Sequence, residues 1–399
     1  MNKPIIYTCA FRPFSTSGSF WWRDSGLVCR GLQAIGVDAK VILPFRPDEA
    51  PDKDVIRASP HDLESDQWWN ALGIHAVVFT TWGTEGTRII QAARNAGLLI
   101  VLSTDDDKMN AHIGIIGALM LTWHKLYHLS PVNRAIQTLL RSPVRYHIIE
   151  SRKRKKQIQY GLADLITCYS PVVWQHARHC SFHSIPVRFG YPANAGSEPT
   201  PTASLSSSAP NIIAVAEWIK IKHKRPHFLM DACISLLHMN PSVRIHVFGK
   251  TLPFMHERVL KLPQQLAERL IVHGVKPNTE IVEQMSRSLV AICPSAFDGG
   301  PVPMAEALCQ GCSVVGAGSI VRWASLCGYG EYVISTPDKF AKAIDSELHK
   351  WQYGFYGKQN NATFWRRHFC SKNYAERIKN FTVVKLNDTR SAQKLDLAP

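Results

Sequence analysis

The sequence lacks most features that mark secreted, membrane-spanning or zinc-stabilised proteins. Its ten cysteines include one CxxC pair, Cys309 and Cys312, but no second such pair, so neither a disulfide framework nor a zinc site is predicted. The longest apolar run, "IGIIGALMLTW" at residues 113–123, is shorter than the roughly 20 residues that a membrane-spanning helix needs. The first residues contain no apolar core followed by a small-residue cleavage site, so no signal peptide is predicted. We therefore expect a cytoplasmic protein with reduced thiols.

Acidic residues are also scarce. The chain has 31 Asp and Glu against 46 Lys and Arg, which gives a formal net charge of +15 over 399 residues. Such a surplus favours an anionic partner, which could be a membrane surface, a nucleic acid or a phosphorylated substrate. No nucleic-acid-binding motif accompanies the charge, and the basic residues concentrate in one segment with few interleaved aromatic residues. A nucleic acid is therefore not expected as a partner.

What the chain does contain is a strand–helix alternation in two halves. Short apolar runs such as "IIYTC", "HAVVFTTW" and "LLIVLST" alternate with segments of helical spacing, and this order is typical of βαβ units with a parallel sheet. The stretch from Asn194 to Asn211 is rich in Ser, Thr, Pro and Ala, so it is interpreted as a linker or exposed loop. The alternation then restarts with "IIAVAEW". We therefore expect two α/β domains with a cleft between them.

The stretch "FDGGPVPMAEALCQGCSVVG", residues 297–316, is the richest in possible chemistry. It follows the strand "AICPS", and ligands of open α/β sheets bind beyond the carboxyl ends of strands. Its glycines allow close approach of a ligand, and the amides of the helix "MAEALCQ" favour a phosphate. Glu306, in the first turn of that helix, could accept hydrogen bonds from ribose hydroxyls, and Asp298 would face the outer end of the ligand. A plain strand–turn–helix, closed by Gly311 in the left-handed conformation, explains the same pattern in isolation.

The same stretch resembles the signature of family-four retaining glycosyltransferases, which have the GT-B fold. Their motif is written "EGxPxxxxEAxxxGxPVV", and here Asp298 stands at its first Glu and Glu306 at its second. The segment "IIAVAEWIKIKHKRPHFLMDA" resembles the family's "vGRW…KRP…LmeA", with Lys224 at the lysine that holds the diphosphate. "LIVHGVKPNTEIVEQMSRSLVAICPS" resembles the segment around the base-binding turn, which places Gly274 and Val275 at that turn. The resemblance covers the second half well and the first half weakly.

The resemblance implies a fold and a division of labour. The fold would be α/β, with two Rossmann-like βαβ domains facing a central cleft. The domains would be an acceptor domain at residues 1–193, a linker at 194–211, a donor domain at 212–370, and a C-terminal helix with a frayed tail at 371–399.

It also implies a function and a set of site residues. The protein would be a retaining, hexosyl-transferring enzyme that uses a nucleotide diphosphate sugar and a glycan or lipid-linked acceptor. No metal or other cofactor is expected, because basic side chains and a helix dipole hold the diphosphate in this fold. The implied donor-binding residues are Lys224, Gly299, Gly300, Glu306, Gly274 and Val275, and the implied catalytic residues are Asp298 and Asp105.

Three departures from the family pattern put details in doubt. Glu217 stands where the family has a diphosphate-binding Arg, and Lys220, Lys222 or Arg225 could take that role. The family's histidine after an N-terminal strand has no match, and "LSTDDD" occupies the place. Asp105, Asp106 and Asp107 could be active-site carboxylates, a helix cap or solvated turn, or metal ligands. The first loop lacks a double glycine, although Gly18 and Gly26 could serve.

These departures keep a second function open, namely a catalytically impaired binding or scaffold protein on the same fold. The basic segment between Leu121 and Tyr160 also has two interpretations. It holds nine basic residues against the single acid Glu150, and Ile136, Leu139 and Leu140 recur at helical spacing. This pattern predicts a solvated helix face or a basic rim that attracts the anionic donor. Together with the apolar run before it, the same pattern alternatively predicts a peripheral docking surface at residues 113–156 on the inner face of an anionic membrane.

Overall fold

The structure is a computed structural model built around two parallel sheets. It describes residues 3–16, 18–81, 85–104, 119, 122–123, 126, 129–168, 185, 187–190, 192–197, 199, 210–295, 301–333 and 336–396. The strands are β1 Ile6–Ala10, β2 Val41–Pro44, β3 Val55–Ala58, β4 Ala76–Thr81, β5 Leu99–Thr104, β6 Leu165–Cys168, β7 Val187–Phe189, β8 Asn211–Val215, β9 Arg244–Phe248, β10 Leu270–Gly274, β11 Val290–Cys293, β12 Ser313–Gly316 and β13 Gly330–Tyr332.

Helices flank both sheets. They are α1 Asp24–Ala34, α2 Pro60–Leu63, α3 Asp66–Ala71, α4 Thr87–Asn95, α5 Pro131–Gly161, α6 Ile221–Lys224, α7 Pro226–Met239, α8 Pro253–Leu260, α9 Gln264–Ala267, α10 Asn278–Arg287, α11 Val302–Cys309, α12 Ser319–Leu326, α13 Pro337–Gln352, α14 Lys358–Phe369 and α15 Ser371–Asp396. A short 3₁₀ helix, Gly18–Trp22, precedes α1.

Each sheet has the strand order of a Rossmann fold. The N-terminal sheet runs β3-β2-β1-β4-β5-β6-β7 and the C-terminal sheet runs β10-β9-β8-β11-β12-β13, with all neighbours parallel. The order reverses between β1 and β4 in the first sheet and between β8 and β11 in the second. Open α/β sheets bind ligands at such switch points, beyond the carboxyl ends of the strands. The two Rossmann-like domains predicted from the sequence are confirmed.

The sheets form because their strands are apolar on both faces. All five residues of β1, all six of β4 and all four of β11 are buried. Strands that are covered by helices on both sides read as continuous apolar runs rather than as alternating ones. The sequence signal was strong for this reason, and the strands lie where the apolar runs predict them.

The chain crosses between the two sheets at two adjacent places. Ala193 forms an isolated parallel bridge with Cys370, and its amide donates to the carbonyl of Phe369 at 2.7 Å. After the second crossing α15 packs on α1, and Tyr374 joins the N-terminal core with a 2.5 Å hydrogen bond to Thr167. The last helix therefore completes the N-terminal domain.

Hydrogen bonds hold the described start of the predicted linker. Asn194–Ser197 is held by Gln310, whose Nε2 donates to the carbonyl of Ser197 at 3.1 Å and also to that of Ala195. Arg366 Nη2 donates to the same Ala195 carbonyl at 2.8 Å. Helix α15 continues to Asp396, through the segment from Leu386 that was predicted to fray.

Candidate functional site

The candidate site lies at the switch point of the C-terminal sheet. The segment from Glu217 to Lys224 follows β8, and helix α11 follows β11, the neighbouring strand. Both segments leave the carboxyl ends of their strands, where a ligand of this fold binds. Gly299, Gly300 and Asp298 lie between β11 and α11 but outside the described residues. The structure therefore brings Lys224 and Glu306 to one edge of the sheet.

Glu306 is a buried acid in the second turn of α11. The prediction placed it in the first turn, but the helix begins at Val302. Asn278 Nδ2 donates to Glu306 Oε1 at 3.2 Å, and the backbone of Asn194 also bonds the carboxylate. Burial raises the pKa of Glu306 to about 8, against the opposing effects of these hydrogen bonds and of the positive charge of Arg23. Glu306 is therefore mostly protonated at neutral pH in the absence of a ligand.

Asn278 connects Glu306 to the segment that joins the domains. Helix α10 begins at Asn278 itself, and Pro277 occupies the cap position. The side chain of Asn278 bonds Glu306 and accepts a 2.6 Å hydrogen bond from Asn194 Nδ2. The sequence offered no signal for this pair, because an Asn near a helix start has the same pattern whether it caps or bonds elsewhere.

Glu217 stays ionised on the exposed side of the β8 loop. It forms an ion pair with Lys220, and the hydrogen bond from Lys220 is the main cause that lowers its pKa. The positive charges of Arg23 and Lys224 act in the same direction. Lys220 is therefore already engaged by an acid of its own loop, whereas Lys224 is half-buried at the end of α6.

Arg225 does not extend from this loop in the way the prediction allowed. It adopts the left-handed conformation with a φ of 52°, is buried, and its guanidinium carbon lies 3.8 Å from the centre of the Phe228 ring. The ordinary helical conformation is disfavoured for a residue that precedes a proline, and Pro226 follows Arg225. This preference explains the break between α6 and α7. The structure thus assigns Arg225 to the packing of α7. The side chain of Lys222 lies outside the described part of the chain.

Helix α11 offers few free amides to an anion. Pro303 has no N–H, and the amides of Met304 and Ala305 bond to the carbonyl of Pro301 at 2.7 and 3.4 Å. The amide of Val302 is the one left in the first turn of this helix. A diphosphate here would consequently depend on side-chain cations and on the glycine turn more than the sequence suggested.

Gly274 and Val275 form an exposed turn at the end of β10. Gly274 has a φ of 72°, and its carbonyl accepts from the amide of Gly249 at 2.8 Å. A Cβ on Gly274 would meet no atom within 4 Å, so the space beside the turn is open. Next to it, the rings of His273 and Phe248 stack with centroids 4.2 Å apart. The turn has room for a flat base, and its role stays a prediction.

In the N-terminal domain the predicted residues are only partly described. Asp105 directly follows Thr104, the last residue of β5, and lies outside the described residues together with Asp106 and Asp107. Gly26 lies within α1, where a Cβ would come 2.5 Å from the carbonyl oxygen of Phe20. Gly26 therefore permits close packing of the 3₁₀ helix on α1 and does not form a ligand loop.

Sequence reasoning misjudged two basic residues near the carboxyl edge of the N-terminal sheet. Arg23, at the start of α1, was not singled out, yet its charge acts on both Glu217 and Glu306. Lys156 was placed on the basic surface, but it is buried and its Nζ donates to Thr81 Oγ1 at 2.7 Å. Five consecutive basic positions cover more than one helical turn, so at least one of them must face the sheet.

Comparisons with known proteins place this geometry in a known fold. Residues 209–350 match the model of a family described as glycosyl transferases group 1. That segment contains Lys224, Gly274, Val275 and Glu306. No curated protein sequence matches the chain.

Solved structures cover both domains. The lipopolysaccharide outer core galactosyltransferase WaaB, in its apo form, has a TM-score of 0.59 and 13% identity over 96% of this chain and 100% of that chain. Anabaena HepE, in complex with UDP and glucose, has a TM-score of 0.57 and 14% identity over 94% and 98%. This chain has the GT-B fold. A sucrose-phosphate synthase from Thermosynechococcus elongatus has a TM-score of 0.52 and 14% identity over 99% and 100%. At these identities the likeness establishes the GT-B fold.

Proposed function

We propose that the protein is a retaining glycosyltransferase that moves a hexosyl group from a nucleotide diphosphate sugar to a glycan or a lipid-linked, membrane-associated acceptor. The observation that carries the proposal is the placement of Lys224 and Glu306 on either side of the β8–β11 switch point. The match of residues 209–350 to glycosyl transferases group 1 supports it. HepE, which shares the fold, was solved with UDP and glucose, so a uridine nucleotide is the first donor to test.

In this proposal the protein stabilises the charge of the leaving group. As the bond to the anomeric carbon breaks, negative charge grows on the diphosphate, and Lys224 with the amides of Gly299 and Gly300 would hold it. Preorganised donors at such a point are usually the largest catalytic contribution. The acceptor would attack the anomeric carbon from the same face as the departing nucleoside diphosphate, so the configuration of that carbon would be retained. No metal ion is required, because the basic side chains supply the positive charge.

The sugar and the ribose would be held by acids. Glu306 lies in the second turn of α11 and would accept the ribose hydroxyls, while Asp298 would hold sugar hydroxyls beside the anomeric carbon. Asp105 follows β5 at the carboxyl edge of the N-terminal sheet, where it would contact the acceptor or the transferred sugar. The Gly274–Val275 turn would contact the base.

A thermal-shift screen with UDP-, GDP- and ADP-sugars tests the donor site. A ligand at 100 times its dissociation constant adds about 2.7 kcal/mol to the free energy of unfolding, which a melting curve resolves. Lys224→Ala should reduce the shift, whereas Lys261→Ala, which removes an exposed charge at the end of α8, should not. If no nucleotide sugar shifts the wild-type protein, the donor site is refuted.

The second candidate, a binding or scaffold protein without turnover, rests on Glu217 at the edge of the site. An ionised acid next to a diphosphate is repulsive unless a cation neutralises it, and here Lys220 does so. Donor hydrolysis or transfer, followed by release of the nucleoside diphosphate, separates the two functions. Binding without any turnover over a range of acceptors would favour the scaffold.

Helix α5 supports a membrane-associated acceptor. It carries an exposed apolar stripe whose members are 47–71% exposed and recur at helical spacing: Val132, Ile136, Leu139, Leu140, Val144 and Ile148. Arg141, Arg154 and Lys155 are exposed on the same helix. An apolar face bordered by cations is suited to an anionic membrane, where each basic residue contributes about 1 kcal/mol. No helix within the described residues is long and apolar enough to cross a membrane.

Vesicle co-sedimentation tests the docking. Wild-type protein should bind vesicles that contain anionic lipid, and the binding should fall at high salt because the attraction is screened. Leu139→Ser with Leu140→Ser should weaken binding. The matched control is Leu260→Ser with Leu326→Ser, at two leucines of the C-terminal domain that are 83% and 77% exposed. Equal binding to neutral and anionic vesicles, or none, would refute docking and leave the donor site untouched.

A further inference from the structure

Two stacked histidines lie beside the turn that ends β10. His273 directly precedes Gly274, and its ring lies parallel to that of Phe248, with centroids 4.2 Å apart and planes 4° apart. The ring of His246, on the neighbouring strand β9, has its centroid 5.3 Å from that of His273. Phe248 is the last residue of β9, so the stack reaches the carboxyl end of that strand. The histidines therefore border the edge at which ligands of this fold bind.

A β-bulge places His273 at this position. Val272 of β10 pairs with Val247 of β9. The next pair along the strands is Gly274 with Phe248, so His273 is an extra residue of β10. Gly274 has a φ of 72°, and a Cβ on it would meet no atom within 4 Å. Bulges are common at sheet edges and next to active sites, where they redirect a side chain. Here the bulge sets an imidazole beside open space.

A chain of hydrogen bonds fixes which nitrogen of His273 carries the proton. Asn211 Nδ2 donates to the carbonyl of Arg287 at 3.4 Å, and its Oδ1 faces His246. An amide oxygen only accepts, so His246 Nε2, which lies 3.2 Å from Oδ1, must donate. The neutral His246 ring then has its lone pair on Nδ1, and His273 Nε2 donates to that nitrogen at 3.0 Å.

The other ring nitrogen of His273 is consequently an acceptor. A neutral imidazole has one N–H, which is on Nε2, so Nδ1 carries a lone pair. Within the part of the chain that the structure describes, this Nδ1 makes no hydrogen bond. The two nitrogens of an imidazole point in diverging directions, so Nδ1 points away from His246. His273 is only half-buried, and its ring lies over Phe248 at the carboxyl end of β9.

We propose that His273 recognises the base of the donor through this lone pair and selects uracil or guanine. This inference rests on the proposed function, in which the Gly274–Val275 turn contacts the base. Uracil and guanine carry a ring N–H on their base-pairing edge, and Nδ1 accepts from it. Cytosine and adenine have a ring lone pair at that place, which the lone pair of Nδ1 repels. A site built to hydrogen-bond a ligand N–H discriminates strongly against an analogue that lacks it.

Isothermal titration calorimetry with UDP and CDP tests this recognition, because the two bases differ only at the ring nitrogen and one neighbouring exocyclic group. GDP and ADP form the second pair of probes. Wild-type protein should bind UDP roughly tenfold or more tightly than CDP, or GDP roughly tenfold or more tightly than ADP. His273→Phe keeps a flat ring over Phe248 without the acceptor, so the ratio of affinities should fall to within about twofold.

His238→Phe is the matched control. It makes the same replacement at an exposed histidine in the last turn of α7, at the end of that helix away from the site, and should leave the ratio unchanged. Nitrogen NMR of labelled imidazole rings in the wild-type protein measures the tautomer directly. His273 should carry its proton on Nε2, and the preferred nucleotide should shift the signal of Nδ1.

Each other result has a distinct meaning. Equal or reversed preferences within both pairs of nucleotides overturn recognition by His273 while the proposed donor site stands. A preference that persists in His273→Phe, or a proton on Nδ1 in the unliganded protein, also overturns it. Wild-type protein that binds none of the four nucleoside diphosphates overturns both the recognition and the proposed function. A circular-dichroism melting curve for each variant separates a lost contact from a lost fold.

Discussion

Replacing Glu306 by Gln should remove a large part of the pH dependence of stability. Burial raises the pKa of this acid to about 8 from a reference value of 4.5, so the folded protein holds a proton that the unfolded chain releases. Stability from this group is fully present below pH 4.5 and is lost as pH rises through 8. Between pH 5 and pH 9 the wild-type protein should lose on the order of 4 kcal/mol from this group alone. Gln has the same shape and does not titrate, so the variant should lose none of it.

Urea unfolding at pH 5, 7 and 9 measures this difference. The variant should resemble the wild type at pH 5 and become the more stable protein at pH 9, because the wild type then carries a buried charge. Glu257→Gln, at an exposed acid on α8, is the control and should follow the wild-type curve. If Glu306→Gln falls with pH as steeply as the wild type, Glu306 is ionised in the folded state and the reasoning from burial is wrong.

The same titration links to donor binding. Ribose hydroxyls that donate to Glu306 favour its carboxylate form, so binding should release a proton near neutral pH and affinity should rise towards pH 8. Calorimetry in two buffers with different ionisation enthalpies counts the released proton. Glu306→Gln should bind more weakly and without proton release. Proton release that persists in the variant would place the titrating group elsewhere.

Three further predictions concern neighbouring residues. Lys224→Ala should weaken nucleoside diphosphates more than nucleosides, by about 1.5–3 kcal/mol in a binding titration, and equal losses would remove it from the diphosphate role. Glu217→Arg breaks the ion pair with Lys220 and should leave turnover unchanged or lower in a donor-hydrolysis assay, whereas a large gain would favour a degenerate site. Asn278→Ala removes a hydrogen bond to Glu306, so the pH at which stability falls in urea unfolding should rise, and an unchanged profile would refute the coupling.

The fold could be predicted because its signal is local and repeated. A buried parallel strand such as Val290–Cys293 is an unbroken apolar run, and each run is followed by a helix with apolar periodicity. Gly311 was also predicted correctly as the left-handed end of α11, with a φ of 77°. Such positions are determined by the chemistry of a few neighbouring residues.

The details of the site depend on contacts that are distant in sequence. Helix α11 begins earlier than predicted because Pro303 is favourable in a first turn, and this moves Glu306 into the second turn. Asn278 bonds an acid 28 positions away, and Lys156 bonds a threonine 75 positions away. Neither the spacing nor the composition of a segment reports such partners, so buried polar pairs were missed.

The paired crossings of the chain have a mechanical consequence. Two chain segments run side by side between the domains, joined at Ala193 and Cys370, so neither domain can swing freely on a single tether. Two adjacent crossings of the chain restrict the relative motion of the domains mainly to rotation about the line through the crossings. Opening and closing of the cleft then has one principal degree of freedom. A ligand that touches both sides of the cleft can set the angle between the domains. Shortening α15 would loosen the restraint on this angle, because α15 packs on α1 of the N-terminal domain.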